Sequence, residues 1–430
     1  MENEGLDPRL RLIQNADMKD KIVLLRVDHN VVKNGKIKDP YRIEATFGTL
    51  FKIAEKGGKP VLITHIGRPR DKKTGNINCQ EGLSVVPIKH YLEQKLAVKI
   101  HVQEFPIDPK KGILHIDDSI NPAIRDLKKG KIGMIYLPNS RWFQGEQSEG
   151  PERDVFSKEL ASLADLYIND ALSSWRAHAS TYNIAKKLPS FAGILLQNEI
   201  KNIYRVLTPE RPFLAVIAGA KYDTKIGPLN ALYKKVDYLI LGGVMYNTFL
   251  AAKYGLDIEG ISGEDRILAN ELVQLDKIEK KILEMPYLIE SDTMEGKING
   301  RFKTVKPGSL QSGSKLKYLL DIDPKSFNQK SVKNVINSAK TIFVNAVMGL
   351  MPAFPEGTMN LYKLIASNTY ALKLFAGGDT LQEFRNLCPG LYLCGIDDPN
   401  TYYFTGGGSI LTAIEQGSVY SLKPVEVLLD

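Results

Sequence analysis

Arg211-Pro-Phe-Leu-Ala-Val-Ile-Ala-Gly-Ala-Lys-Tyr-Asp-Thr-Lys225, near the middle of the 430-residue chain, decides how the rest is read. Its first half is an unbroken apolar run, short for a helix and rich in β-formers, and so reads as a buried parallel strand. The run stops at Gly219, and two lysines follow, Lys221 and Lys225, where a strand should hand over to a helix. In an open α/β sheet, ligands sit beyond the carboxyl ends of the strands, beside helix N-termini whose free N–H groups favour anions. Two ammonium groups in that corner point to a phosphate-rich ligand. Taken alone they would be solvated surface lysines; other strand ends of the same kind change the balance.

Working outward towards the N-terminus, Lys21-Ile-Val-Leu-Leu-Arg-Val27 ends in Asp28-His29-Asn30, and Pro60-Val-Leu-Ile-Thr64 runs into His65-Ile-Gly-Arg-Pro69. Between them an apolar-periodic helix is expected from Tyr41 through about Lys56, carrying Arg42. Ile132–Leu137 leads to Asn139-Ser-Arg141, and Leu166–Ile168 delivers Asn169-Asp170, followed by Trp175-Arg176-Ala-His178. A parallel sheet forces such ends together, so Arg42, Arg68, Arg141, Arg176, His65 and His178 are expected at one edge. Arg suits bidentate recognition of phosphate and carboxylate, and this half reads as a site for a small, multiply charged anion.

Towards the C-terminus the architecture repeats with other chemistry. Val236–Leu241 precedes Gly242-Gly243, and Thr341–Val344 precedes Asn345-Ala-Val-Met-Gly349. Leu372–Phe375 precedes Ala376-Gly377-Gly378-Asp379-Thr380, and Tyr402–Phe404 precedes Thr405-Gly-Gly-Gly408. Glycine lets a phosphate approach backbone N–H groups that a Cβ would block. One Gly-Gly is usually a tight turn. Four such ends, with two lysines and the Asp379 carboxylate, suggest a nucleotide with its Mg²⁺.

The expected fold is α/β, with two doubly wound parallel-sheet domains. Residues 1–191 form an anion-binding half, 192–208 a helical hinge and 209–417 a nucleotide half. A chain of 430 residues exceeds the size of a single core. Charge is +8 but dispersed among acidic residues without a basic block, which favours small phosphorylated ligands over nucleic acid. Cys79, Cys388 and Cys394 are odd in number and lack metal-ligand spacing, so they read as thiols in a reducing compartment. Without an apolar leader or a run of membrane-spanning length, the chain is expected in the cytoplasm, with no membrane partner.

Arg26-Val-Asp-His-Asn30, His65-Ile-Gly-Arg-Pro69, Asn169-Asp-Ala171 with Arg176-Ala-His178, Ala218-Gly-Ala-Lys221, Gly377-Gly-Asp-Thr380 and Thr405-Gly-Gly-Gly408 together resemble the phosphoglycerate kinase family, in the family's order from about Lys21 onward. The resemblance implies a monomeric glycolytic enzyme with hinge-bending closure. It would transfer a phosphoryl group between ATP and the carboxylate of 3-phosphoglycerate, with Mg²⁺, and segment 418–430 would return to the N-terminal domain. Carried over by position, Asp28, Asn30, Arg42, His65, Arg68, Arg141 and Arg176 would hold phosphoglycerate. Lys221, Lys225, Gly219, Gly242, Gly243, Asn345, Gly377, Gly378, Asp379 and Thr380 would hold the nucleotide, with Asp379 at the metal. Arg42, Lys221, Gly377 and Gly378 would act in transfer.

The chain also departs from the family pattern. His29 stands where Phe is usual, and Trp175 where a His usually precedes the arginine. Ala218 and Ala376 replace glycines, Val244 and Tyr246 add bulk near the base, and Asp323 is a possible polar partner for it. The segment Leu350–Pro355 lacks the family's ribose-binding Glu and looks shorter. Two other classes fit less well. A non-catalytic or altered-nucleotide paralogue acting as a binding or regulatory protein would not be expected to keep Lys221, Arg42 and Asp379. A dinucleotide oxidoreductase needs a Gly-x-Gly-x-x-Gly after an early strand, which the first half lacks.

Overall fold

In the computed structural model, residues 5–220 and 226–430 are described. The chain divides into two compact units, one running to Lys201 and taking in Val419–Asp430, the other spanning Asn202–Ser418.

The first unit is built on six strands: β1 (Ile22–Val27), β2 (Lys59–Ile63), β3 (Ile100–Val102), β4 (Met134–Tyr136), β5 (Leu166–Asp170) and β6 (Ser190–Ala192). Their order is β6-β5-β1-β2-β4-β3, and every pairing is parallel. All six residues of β1 are buried, as a strand covered on both faces requires. Val23, Leu25, Ile53, Leu62, Ile88 and Ile168 pack into the core on one side. Because the strands are parallel, the residues after β1, β2, β4 and β5 emerge along one edge.

The helix expected from Tyr41 to Lys56 is two: α1 (Tyr41–Glu44) and α2 (Phe47–Glu55). At the join the Thr46 hydroxyl and Thr46 N–H both donate to the Ile43 carbonyl, at 2.7 and 3.2 Å. A side chain competing for its own backbone tightens the turn there. The C-terminal segment is held in this unit by Arg11 Nη2 donating to Val427 O at 2.7 Å and Asn169 Nδ2 donating to Pro424 O at 3.1 Å. Helix α3 (Ile194–Leu207) contains the boundary between the units.

The second unit carries β7 (Phe213–Gly219), β8 (Tyr238–Gly242), β9 (Leu288–Ser291), β10 (Phe302–Val305), β11 (Tyr318–Ile322), β12 (Thr341–Asn345), β13 (Leu372–Phe375) and β14 (Thr401–Tyr403). Five of these form a parallel sheet, ordered β8-β7-β12-β13-β14. The strand order reverses beside β7, which sets a topological switch point between Gly219 and Asn345. A separate antiparallel sheet, β10-β9-β11, arises from a stretch with no strand signal in the sequence reading. The helices around the parallel sheet include α4 (Gly243–Tyr254), α5 (Glu356–Ser367), α6 (Gly378–Leu387) and α7 (Gly408–Gln416).

Candidate functional site

At the sheet edge of the first unit the structure gathers Arg26, Asp28, His65, Arg141 and the serines after β5. Asp28 is buried and accepts from Arg42 Nη1 at 3.1 Å and from the Ser173 hydroxyl. Burial alone would raise the Asp28 carboxyl, but Arg42, Ser173 and Arg26 outweigh it and hold the group below the usual carboxylate range. Arg26, only 1% exposed, donates to Ser180 Oγ at 3.0 Å, to His65 Nδ1 at 3.1 Å and to Ser174 Oγ at 3.2 Å. A guanidinium can only donate, so Nδ1 of His65 carries the lone pair and Nε2 the proton. Burial, Arg141 and Arg26 push His65 well below the ordinary imidazole range, so it is a neutral donor at pH 7.

Arg141 donates through Nη1 to Gly67 O at 2.5 Å, while its Nε is buried without a hydrogen-bond partner among the described residues. Its pKa is brought down to about 10, chiefly by burial. A buried, unpaired donor on a cation fits a site that takes an anion. Asn30 Oδ1 accepts from Gly67 N at 2.9 Å and so shapes the loop that presents Arg68. Arg68 and Arg176 are exposed, and Arg176 lies over the Trp175 ring at 5.6 Å. Arg68 acts electrostatically on Arg141, and neither exposed arginine belongs to the buried hydrogen-bonded group around Arg26. His178 caps the turn Ala179–Asn183 and is a structural group.

Glu146, which sequence reasoning missed, is buried and accepts from Ser140 Oγ, Ser180 N and Ser180 Oγ at 3.1, 2.9 and 2.6 Å. It offsets Arg141 electrostatically. Arg26, Arg42, Arg68 and Arg141 set against Asp28 and Glu146 leave an excess of positive charge. Ser173, Ser174 and Ser180 were missed as well, because their partners come from other strands.

In the second unit a cavity of about 620 Å³ lies along the switch point, within the usual range for ligand clefts. Gly219, Gly243, Asn345, Gly377, Gly378, Asp379 and Thr380 line it. Gly242 lies one residue short of the lining, at the N-cap of α4. Gly377 is the N-cap of α6 with φ of +105°, and a Cβ there would meet Asn345 Nδ2 at 2.7 Å. Asn345 in turn donates to Ala376 O at 2.7 Å. This is a backbone-lined cradle at a helix N-terminus, the arrangement that binds phosphates.

Asp379 is exposed in the first turn of α6. Among the described residues no three His, Cys, Asp or Glu side chains form a metal-ligand set. A single carboxylate beside a phosphate cradle nevertheless suits Mg²⁺, which keeps waters and takes one or two carboxylates plus substrate oxygens. Lys221 and Lys225 lie outside the described residues.

The other wall of the cavity is apolar, with Val244, Met294, Leu319, Leu320, Met348 and Leu350. Two expectations for this wall are corrected. Tyr246 does not line it: the side chain is buried inside the unit, with its hydroxyl between Met285 N and Met285 O at 2.8 and 3.1 Å. Asp323 is also absent from it; it caps a short helix, accepting from Lys325 N at 2.8 Å and from Thr304 Oγ1 at 2.5 Å. Glu383, one helical turn beyond Asp379, does line the cavity and was missed.

The family model described as phosphoglycerate kinase matches residues 13–417. A phosphoglycerate kinase of Dictyoglomus turgidum is 35% identical over 413 residues, covering 94% of this chain and 95% of that protein. One from the Wolbachia of Brugia malayi is 32% identical over 431 residues, covering 97% and 98%. Among solved structures, phosphoglycerate kinase from Coxiella burnetii superposes with a TM-score of 0.72 at 26% identity, covering 98% and 99%. That from Pyrococcus horikoshii superposes with 0.75 at 21% identity, covering 97% and 99%, a likeness of fold.

Proposed function

The chain belongs to the phosphoglycerate kinase family, and from that premise we propose how its residues divide the work. It is a kinase with a carboxyl group as acceptor, acting in glycolysis with ATP and ADP as nucleotide. The proposal is that the first unit holds 3-phosphoglycerate through Asp28, Asn30, Arg42, His65, Arg68, Arg141 and Arg176. The second unit would hold the nucleotide through Gly219, Gly243, Asn345, Gly377, Gly378, Thr380 and, on the sequence argument, Lys221 and Lys225. The observation that carries this reading is Arg141: a half-buried cation whose enclosed Nε has no partner among the described residues, beside a neutral His65 whose Nε2–H is a donor.

Phosphoryl transfer asks little covalent chemistry of a protein. It asks for reactants in line and for charge to be neutralised as it moves to the transferring oxygens. The α6 N-terminus with Gly377 and Gly378 would stabilise that charge from the nucleotide side, and Arg42 from the acceptor side. Lys221 would accompany the transferring group. Mg²⁺, held by Asp379 and the nucleotide phosphates, would supply further charge neutralisation. Excluding water from the acyl phosphate calls for closure of the two units about α3. A cytoplasmic monomer completes the proposal; the free cysteines among the described residues agree with a reducing compartment.

A coupled assay with 3-phosphoglycerate and ATP, GTP, ITP or pyrophosphate tests it. Turnover with a nucleoside triphosphate, abolished by EDTA and restored by Mg²⁺, is expected; turnover that persists in EDTA contradicts the metal role. Small-angle scattering should show a smaller radius of gyration with both substrates than with either alone, and an unchanged radius would count against closure.

A further inference from the structure

His29 stands two residues after the end of β1, next to Asp28, and is fully buried, yet the roles given above do not use it. Three segments meet on it. Its backbone N–H donates to Thr64 Oγ1, just after β2, at 2.9 Å. Its Nδ1 lies 2.8 Å from the Tyr136 hydroxyl at the end of β4. Its Nε2 lies 3.2 Å from Thr46 Oγ1, at the join between α1 and α2.

The proton positions follow from counting. A threonine hydroxyl has one hydrogen, and that of Thr46 is given to Ile43 O at 2.7 Å. Towards His29 it therefore accepts, so Nε2 carries the proton. Nδ1 then holds the lone pair and accepts from the Tyr136 hydroxyl. Burial favours the neutral form of both groups: it pushes His29 down to about 3 and Tyr136 well up. The result is a one-way chain of hydrogen bonds, from Tyr136 O–H through the imidazole and Thr46 to the carbonyl of Ile43.

Ile43 is the residue after Arg42, in a helix of only four residues without a side-chain N-cap. A single turn has little stability of its own. Its bearing on the sheet edge therefore depends on what ties it down. Glu44 is held on the outer side by Tyr91 and Lys95, and Tyr41 N–H donates to Asp39. On the side of the sheet edge the ties are the Arg42–Asp28 ion pair and this chain, which start from adjacent residues, Asp28 and His29. We propose that His29 is a positioning residue for the reaction, fixing the α1 turn so that the Arg42 guanidinium is held against Asp28 in the orientation that transfer requires. This rests on the reading of Arg42 given under Proposed function.

The test is a double-mutant cycle on kcat, with 3-phosphoglycerate and MgATP saturating, at a temperature where each variant is shown to be folded. His29→Phe keeps an aromatic ring and removes both side-chain bonds. It should lower kcat about tenfold or more, since a small misplacement of a charged group is costly, with the KM for ATP within about twofold of wild type. His29→Gln, which retains a donor and an acceptor, should recover most of the loss. In an Arg42→Ala background His29→Phe should produce no further loss, because its effect acts through Arg42. An equal loss in both backgrounds, or an unchanged kcat in the single variant, overturns the proposal. If His29→Phe does not fold, Tyr136→Phe takes its place in the cycle, with a smaller loss of about threefold that must likewise vanish without Arg42. Wild-type turnover is the control: its absence would count against the function reading itself.

Discussion

At the strand ends of the first unit, Asp28 and His65 are buried side chains held by other side chains, and the half-buried Arg141 keeps its Nε enclosed. At those of the second, Gly219, Gly243, Gly377 and Gly378 offer backbone, with Asn345 bonded behind them. The two designs carry different costs. A side-chain site must keep charges out of water, so it needs built-in counter-charges, Asp28 and Glu146, and neutral imidazoles. A backbone site needs little ionisable machinery, but it leaves no space for a Cβ: at Gly377 one would strike Asn345. Pre-organisation rests on hydrogen-bond networks in one half and on missing atoms in the other.

The largest effect is expected from Lys221→Ala, which removes a proposed transfer charge from the half whose cradle is built of backbone. It should lower kcat by about 10²–10³, the usual loss of a preorganised electrostatic group, while phosphoglycerate binding measured by titration stays within a few-fold. Near-normal turnover would show that the backbone cradle suffices and would break the contrast between the halves.

Next is pH, where His29 and His65 in the first unit and Asp321 in the second respond with opposite signs. His29 has its folded pKa depressed to about 3 and His65 well below the usual value, so the unfolded chain binds protons there first. Their contribution to stability is complete above about pH 6.5 and lost as pH falls, by up to about 1.4 kcal/mol per unit for each group. In the same unit Asp170 opposes them, raised to about 7 mainly by burial. In the second unit Asp321, likewise raised to about 7 by burial, contributes stability at acid pH that is lost as pH rises from about 4 to 7. Thermal unfolding compared at pH 7 and pH 5 should therefore show His29→Gln less acid-sensitive than wild type and Asp321→Asn more so. Identical pH slopes in the two variants would refute these assignments.

The smallest effect concerns nucleotide choice. The wall proposed to face the base is apolar, Leu350–Pro355 carries no carboxylate, and Tyr246 and Asp323 are engaged elsewhere. Rejecting a nucleobase strongly requires a polar partner that the wrong base leaves unpaired. The kcat/KM values for ATP, GTP and dATP are expected to agree within about tenfold, or about 1.4 kcal/mol. A hundredfold preference for ATP over both others would reveal a recognition group, and Glu383 would be the first residue to replace.

Much of this was legible in the sequence because strands buried on both faces read as apolar runs, and because parallel pairing brings the residues after each run to one edge. That logic located Asp28, His65, Arg141, Gly219, Asn345 and Gly377. It failed where a residue acts through partners distant in sequence. Glu146 lies in an irregular loop, and only the fold brings it beneath Ser140 and Ser180. Tyr246 is expected in the pocket because it comes soon after Gly243, but its place on α4 turns it inward to Met285. Asp323-Pro324-Lys325 carries a helix N-cap pattern, Asp before Pro, which local reading had the means to recognise.

If the ligands divide between a side-chain site and a backbone site, calorimetric titration of each ligand alone separates the two. Arg141→Ala should weaken 3-phosphoglycerate binding by about ten- to a hundredfold, the worth of a charge-assisted hydrogen bond, with MgADP affinity unchanged. Gly377→Val should do the reverse, weakening MgADP and sparing 3-phosphoglycerate. If Arg141→Ala weakens MgADP, or Gly377→Val weakens 3-phosphoglycerate, by a comparable factor, the division is wrong.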